Sequence, residues 1–331
     1  MVGFDPQFND LCDYILKITY WIWEGKQPEL CADYYSQDCP VYTLSGITIG
    51  AEEVIENTAK TQAAFPDRTL DAANIIWGGN AEEGFHSSHL IDTQMTAMGE
   101  SEFGSASGRS ARGFVIAHCI CKDNRIIEEW LVRDNYLLAI QFGKNPLELV
   151  NTFAATPEPA RLQQWRTSEL TRLNQNPAGN VVLSSELSPA TNAFLSLLHS
   201  VWKQPSASLI NELYAADAIM NVPKGETLSD ATAILSFYDE LHEALSGITV
   251  MFDYACNNSY NTDGDYLAVR WTLSGQHTGG TLFGEPVNQP LLIIGESHYR
   301  FNNGKIVEEW CMYDLLGVLV QVERLRNAQS R

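Results

Sequence analysis

The chain has 331 residues, more than one small core needs, and suits two domains of about 140 to 150 residues each. Its 41 acidic and 21 basic residues give a formal charge of −20, which would repel nucleic acid and anionic membranes, so neither is expected as a partner. No apolar run approaches the roughly 18 residues of a membrane helix, and no secretory signal is expected at the N-terminus. Seven irregularly spaced cysteines predict reduced thiols and a cytoplasmic protein.

The chain begins with predicted helices. Apolar residues recur at helical spacing over 8–24, and a second short helix is predicted at 27–36. A short β-type segment at 41–44 and a Gly-containing turn come before a third helix at 51–64. These segments predict a layer of helices at the start of the domain.

Strands follow the helices. Segments at 75–77, 84–91, 113–120 and 126–133 are rich in apolar and β-branched residues, and Lys122-Asp-Asn-Arg125 is typical of a hairpin turn. Helices followed by antiparallel strands predict an α+β fold, in which N-terminal helices pack on a curved antiparallel sheet.

Residues 149–188 are richer in Pro, Gln, Asn and Ser and are predicted to be a linker, with a connecting helix at 158–173. Beyond the linker the order of elements repeats. The repeated elements are helices at 190–203, 206–215 and 230–245, a β-type segment at 218–222, and strands at 267–273, 291–301 and 306–312.

The two halves are copies of one domain. Segment 118–130 aligns without a gap on 298–310, and Asp134 falls on Asp314 at the same offset of 180 residues. Nearer the N-terminus the offset is 179, as one loop insertion or deletion would produce. The sequence therefore predicts a tandem duplication, with domains at 1–148 and 189–331.

The segment that both copies share carries groups suited to acid/base chemistry. Alternate side chains of a strand share a face, so Asp134 should lie on the same side as Trp130, with His118 within reach across the hairpin. A carboxyl group beside an imidazole and an indole, in apolar surroundings, can exchange protons with a ligand. One face would carry Glu128, Trp130, Val132 and Asp134, and the other Glu129, Leu131 and Arg133.

Structural explanations of the same residues remain open. Glu-Glu-Trp could belong to a strand with one solvated face and a tryptophan packed in the core. Asp134 and Asp314 each come before a run that could form a short final helix, where an aspartate would be a helix N-cap. Cys119 and Cys121 lack a second cysteine pair, so we expect small core residues there and no metal site.

Several motifs carry a resemblance to a known family. In the second half they are Val269 to Gly279, Phe283-Gly-Glu-Pro286, Phe301 to Trp310 and Asp314 to Gln321; in the first half they are Ala64-Phe-Pro-Asp67, Gly104 to Arg109, Ile127-Glu-Glu-Trp130 and Asp134 to Gly143. Through these motifs nearly the whole chain except the linker resembles the SnoaL-like polyketide cyclases. They belong to the nuclear-transport-factor-2-like superfamily, whose cystatin-like α+β cone encloses an apolar pocket.

The resemblance implies an enzyme without metal or organic cofactor, which closes a ring by aldol condensation or isomerises a small polycarbonyl or aromatic substrate. Asp134 and Asp314 would be its acid/base groups, and His118 and His298 would complete the catalytic set by polarising a carbonyl. The alternative is a non-catalytic protein that binds a small apolar molecule. The candidate substrate-binding residues are Trp130, Trp310, His86, His89, Arg270 and His277.

The two copies are not interchangeable. The first has His86-Ser-Ser-His89 where the second has Tyr266-Leu-Ala-Val269, and Arg133 replaces Tyr313. We therefore expect that the two pockets do not bind the same ligand equally well, so that one copy would be the catalyst and the other a pseudo-domain. A further alternative is a structural module in which side chains fill the pockets. Because this superfamily commonly pairs through its sheets, the resemblance also implies a pseudo-dimer within the chain or a homo-oligomer.

Overall fold

The computed structural model describes residues 1–181 and 187–330, so the linker residues 182–186 and the final residue of the predicted second domain lie outside the described residues. Within them the predicted α+β class is confirmed, with helices packed on two sheets of seven strands each. The chain divides into two compact units. The first comprises Met1–Leu149 and Asn258–Thr262, and the second comprises the other described residues. The division at 148 and 189 remains a prediction.

The first unit begins with the predicted helices. Helix α1 (Leu11–Thr19) starts where the Asp10 carboxylate accepts a hydrogen bond from the Asp13 amide, and its apolar face is buried. A π-helical turn, Tyr20–Glu24, continues it. The short α2 (Cys31–Tyr34) and the longer α3 (Gly50–Ala64) follow, close to the predicted positions.

A seven-stranded sheet faces these helices. Its centre is an antiparallel meander, β3 to β6, in which Asp123 and Asn124 form the predicted tight turn with φ angles of 48° and 67°. Strand β1 pairs in parallel with β6, which the sequence did not predict. The strands are β1 (Pro40–Tyr42), β2 (Ile47–Ile49), β3 (Thr69–Asn80), β4 (Gly84–Thr96), β5 (Ser110–Lys122) and β6 (Arg125–Arg133), with Asn258–Ser259 at the edge next to β3.

Three helices follow the first meander. They are α4 (Asn135–Gln141), α5 (Pro146–Ala155) and α6 (Ala160–Gln175). Helix α6 confirms the connecting helix predicted at 158–173. Among the helices within 1–181 and 187–330, none is long and apolar enough to cross a membrane.

The second unit repeats the first. Its sheet has the same order and directions for the six equivalent strands. The register is also the same: Trp271 pairs with Gly295, and the residues 180 positions earlier, Ile91 and Val115, pair with each other. Strand β10 was not predicted. The elements of the second unit are β7 (Asn180–Val181), α7 (Pro189–Lys203), α8 (Ala207–Leu213), β8 (Tyr214–Val222), β9 (Glu226–Ser229), α9 (Ala231–Ala244), β10 (Leu245–Cys256), β12 (Asp265–His277), β13 (Pro290–Asn302), β14 (Lys305–Tyr313) and α10 (Leu315–Gln329). Strand β11 (Asn258–Ser259) is the edge strand of the first unit, already described.

Candidate functional site

The first unit contains a cavity between α1 and its sheet. The cavity has a volume of about 70 Å³, which leaves room for on the order of five or six water-sized groups. Half of its lining residues are aliphatic, with contributions from α1 and from β4, β5 and β6. Such a space can hold a small, largely apolar molecule.

One face of the meander lines this cavity. Successive side chains of a strand point to opposite faces, so every second residue reaches the cavity. The lining residues of the three strands are Ser87, His89 and Ile91 from β4, Val115, Ala117 and Cys119 from β5, and Glu129, Leu131 and Arg133 from β6. The face of β6 that lines the cavity is therefore that of Glu129, and Trp130 lies on the other face.

Glu129 is the carboxyl group of the cavity. Its side chain is largely buried, with 7% of the residue exposed, and the Tyr35 hydroxyl donates a hydrogen bond of 3.0 Å to its Oε2 atom. Burial raises the pKa of Glu129, while the hydrogen bond from Tyr35 and the positive charge of Arg133 oppose that rise. A carboxyl group with a raised pKa can both accept and return a proton near neutral pH.

Two arginines also line the cavity. The Nε atom of Arg68 donates a hydrogen bond of 3.1 Å to the Thr93 hydroxyl, and its guanidinium lies 5.2 Å from the centre of the Trp23 ring. Burial, and then the charge of Arg133, lower the pKa of Arg68. A guanidinium nevertheless stays protonated at neutral pH, so this cavity holds two positive charges.

The residues predicted from the sequence lie in several places in the first unit. Of these residues, His89 lines the cavity. His118 lies on the opposite face of the sheet, where its Nε2 atom is 3.0 Å from Nδ1 of His86 and its ring contacts Trp130 at 5.8 Å. Asp134 is 2% exposed and caps α4, since its Oδ1 atom accepts a hydrogen bond of 3.1 Å from the Leu137 amide. Their proposed catalytic and binding roles remain predictions.

The corresponding residues of the second unit are placed in the same way. Asp314 caps α10 and accepts a hydrogen bond of 3.1 Å from the Gly317 amide. His298 is buried and pairs with Trp310 across β13 and β14. Arg270 lies 3.8 Å from a carboxylate oxygen of Asp253. His277 is buried beside Phe283, and its burial lowers its pKa.

Aromatic rings occupy the interior of the second unit where the first has its cavity wall. Trp271 takes the position of Ile91, and its ring centre lies 4.6 Å from that of Trp202. Gly295, in the position of Val115, makes room for this ring, because a Cβ atom there would lie 2.1 Å from Cζ2 of Trp271. Trp202 and Trp271 are each 1% exposed.

The second unit retains the carboxyl group but not the arginines. Glu309 is fully buried, and the Tyr214 hydroxyl donates a hydrogen bond of 2.6 Å to it. Burial raises the pKa of Glu309 to about 7, against hydrogen bonds from neighbouring hydroxyls. By strand register, Tyr313 and Ile248 take the positions of Arg133 and Arg68.

Sequence reasoning did not select Glu129, Tyr35 or Arg68 as site residues. A signal was present, because the pair Tyr35 and Glu129 recurs as Tyr214 and Glu309 in the second copy. What the sequence could not supply was the face of β6 that α1 covers.

Residues 193–322 match the model of the family of SnoaL-like polyketide cyclases. No curated protein sequence matches the chain significantly. Solved structures that are similar include a SnoaL-like protein from Jannaschia sp. CCS1, with 15% identity over 42% of this chain and 98% of that one and a TM-score of 0.36. IdmH from Streptomyces antibioticus has 20% identity over 40% and 98%, with a TM-score of 0.34. A protein of ketosteroid isomerase-like fold from Catenulispora acidiphila has 16% identity over 41% and 94%, with a TM-score of 0.33.

Proposed function

We propose that this chain, whose residues 193–322 match the SnoaL-like polyketide cyclases, is an acid/base enzyme whose reaction takes place in the cavity of the first unit. The reaction class is aldol-type cyclisation or isomerisation of a small polycarbonyl or aromatic molecule. The observation that carries the proposal is a buried carboxyl group, Glu129, on the wall of a space large enough for a ligand.

The chemistry needs a base near a carbon that is already acidified by carbonyl groups. In its ionised form Glu129 would remove a proton from such a carbon and later return it to another atom of the same ligand. Apolar walls keep water away and leave the carboxyl group with a pKa closer to neutrality than that of an exposed glutamate. The Tyr35 hydroxyl fixes the orientation of the carboxyl group.

Loss of that proton leaves negative charge on the carbonyl oxygen of the ligand. His89 and Arg133 lie on the same cavity wall and would stabilise this enolate by hydrogen bonding and charge. We keep Asp134 and Asp314 as the competing assignment of the base, which makes a different prediction in the experiment below.

Deuterium exchange into cyclopentanone would test the proposal. This ketone has about six non-hydrogen atoms, close to the size of the cavity, and proton NMR in D2O follows exchange next to its carbonyl. The full chain should accelerate exchange, and Glu129→Gln should slow it by about 100-fold or more. Glutamine keeps the size of the side chain and still accepts the hydrogen bond from Tyr35.

Glu309→Gln is the matched control, because it makes the same change where aromatic rings fill the interior. Exchange should be unaffected in that variant. Equal rates in wild type and Glu129→Gln would contradict the proposal. Loss of exchange in Asp134→Asn alone would assign the base to Asp134, and binding of cyclopentanone without exchange would support the non-catalytic alternative.

A further inference from the structure

Two positively charged side chains line the cavity of the first unit. The chain as a whole carries a formal charge of −20, yet Arg68 and Arg133 both line this one small space. Within residues 1–181 and 187–330, neither guanidinium has a carboxylate oxygen at ion-pair distance. The exposed Glu102 and the buried Glu129 act on these arginines only from farther away.

Arg133 has unused hydrogen-bonding capacity. Its Nε atom is buried and has no hydrogen-bond partner in the described part of the chain. A buried donor of this kind costs free energy in the empty protein, and a ligand oxygen could recover that cost. The group therefore favours binding of an acceptor from inside the cavity.

The two arginines lie where the main cavity meets smaller ones. Arg68 borders the main cavity and two neighbouring cavities of about 10 Å³ each, and Arg133 borders the main cavity and one of these. Thr61 and Phe65, at the end of α3, line both smaller cavities. The positive charges are thus grouped at one end of a space whose lining residues are half aliphatic.

The second unit supplies an internal comparison. Its fold keeps the strand register and the buried Glu309, but Ile248 and Tyr313 replace the two arginines and Trp271 occupies the space. The fold therefore does not need the arginines. In the first unit both arginines line the cavity.

We infer that Arg68 and Arg133 bind the carboxylate of a small ligand whose apolar body fills the cavity. A planar guanidinium matches a carboxylate well, because two parallel N–H groups can donate to its two oxygens. The inference rests on the proposed function and narrows its substrate class to a small monocarboxylate with an apolar body.

The test compares butyrate with butyramide, which have the same shape, differ in charge and have about six non-hydrogen atoms, as cyclopentanone does. Isothermal titration calorimetry on the full chain near neutral pH should give a dissociation constant at least about tenfold lower for butyrate. Arg68→Gln and Arg133→Gln should each weaken butyrate binding about tenfold and weaken butyramide binding by less, because butyramide has an acceptor oxygen but no charge. Arg133→Lys should retain part of the preference, because it keeps the charge.

Lys60→Gln is the control for net charge, since Lys60 is exposed on α3 and is not among the residues that line the cavity. It should leave both dissociation constants unchanged. Equal affinity for the two probes, or an undiminished preference in either glutamine variant, would overturn the inference. If a glutamine variant has a low melting temperature, Arg133→Lys takes its place. A preference for the carboxylate probe that is smaller than in wild type would support the inference, and an unchanged preference would overturn it.

The two proposals fail in different ways. A preference for butyrate without exchange into cyclopentanone would support the carboxylate site and contradict the acid/base function. Exchange that depends on Glu129, together with equal binding of butyrate and butyramide, would support the acid/base function and contradict the carboxylate site.

Discussion

Glu129 and Glu309 are the same side chain in two different surroundings. Each accepts a hydrogen bond from a tyrosine hydroxyl, and burial raises the pKa of each. Glu129 lines a cavity, whereas Glu309 is enclosed by aromatic residues and hydroxyl groups. Our proposal therefore places the ligand beside the first carboxyl group, and we expect the second to act on stability.

Glu309 should make the stability of the protein depend on pH. Because its pKa rises from 4.5 to about 7 on folding, the folded state holds its proton more tightly than the unfolded state. The free energy of unfolding should then fall as pH rises from about 4.5 to about 7, by on the order of 3 kcal/mol at most. Urea denaturation at about pH 5 and about pH 8 should show this loss in wild type and a smaller one in Glu309→Gln.

The exposed Glu212 provides the control for this experiment. Glu212→Gln should follow wild type at both pH values. A pH dependence as large in Glu309→Gln as in wild type would show that the carboxyl group is not the origin of the effect.

At the scale of elements, the last strand of each meander passes into a helix at an aspartate. Asp134 and Asp314 accept a hydrogen bond from the amide three residues later, the usual geometry of an N-cap. The cap satisfies one of the amides that the first helical turn leaves without an intrahelical partner. Capping alone is enough to explain why both copies keep the aspartate.

Substitution at Asp134 separates capping from catalysis. Asp134→Ala should lower the free energy of unfolding by about 1 kcal/mol, and Asp134→Asn should lower it by only a few tenths, because asparagine caps helices nearly as well. Thermal denaturation of both variants and of the same pair at Asp314 would measure this. A stable Asp134→Asn variant that has lost exchange into cyclopentanone would contradict a purely structural role.

The sequence predicted these elements well where their signals are local. Helical spacing identified α1 and α7, and the pairs Asp123-Asn124 and Asn303-Gly304 are the turns of the hairpins β5–β6 and β13–β14. Strands β1 and β8 pair in parallel with partners about 90 residues away, which no local pattern encodes. The alternation of side chains along β6 predicted which residues share a face, but it did not predict which of the two faces α1 covers. The acid/base interpretation favoured the face of Trp130 and Asp134, whereas in the structure Glu129 lines the cavity and accepts a hydrogen bond from Tyr35.

At the scale of the whole molecule, two copies of one architecture have diverged in their interiors. The pair Ile91 and Val115 borders the cavity of the first unit, and the pair Trp271 and Gly295 fills the same position in the second. A large residue in one pair is matched by a small one beside it. The fold is the same in both units, so the identity of this residue pair determines whether the position borders a cavity or is filled by an aromatic ring.

The two pairs should behave as coupled units. Gly295→Val should destabilise the second unit by at least about 1 to 3 kcal/mol, because its side chain would overlap the Trp271 ring. Trp271→Ile should also destabilise it, through the space it leaves. Together they recreate the pair of the first unit, so the double variant should lose less free energy of unfolding than the sum of the two single variants.

A double-mutant cycle by urea denaturation measures this coupling, which should be about 0.5 to 3 kcal/mol. Additive losses would show that Trp271 and Gly295 do not compensate each other. Ile91→Val in the first unit is a control that changes the equivalent wall without an overlap.

The strand Asn258–Ser259 has a consequence for any attempt to divide the protein. Its residues belong to the first unit, where Asn258 pairs with Trp77 and the Asn261 side chain donates to the Ala73 carbonyl, yet they come more than a hundred positions after Leu149. A fragment that stops at Leu149 would leave the border of β3 uncovered and open to association with other chains. Proteolysis at a single peptide bond cannot release the first unit intact, because its residues come from two separate parts of the chain.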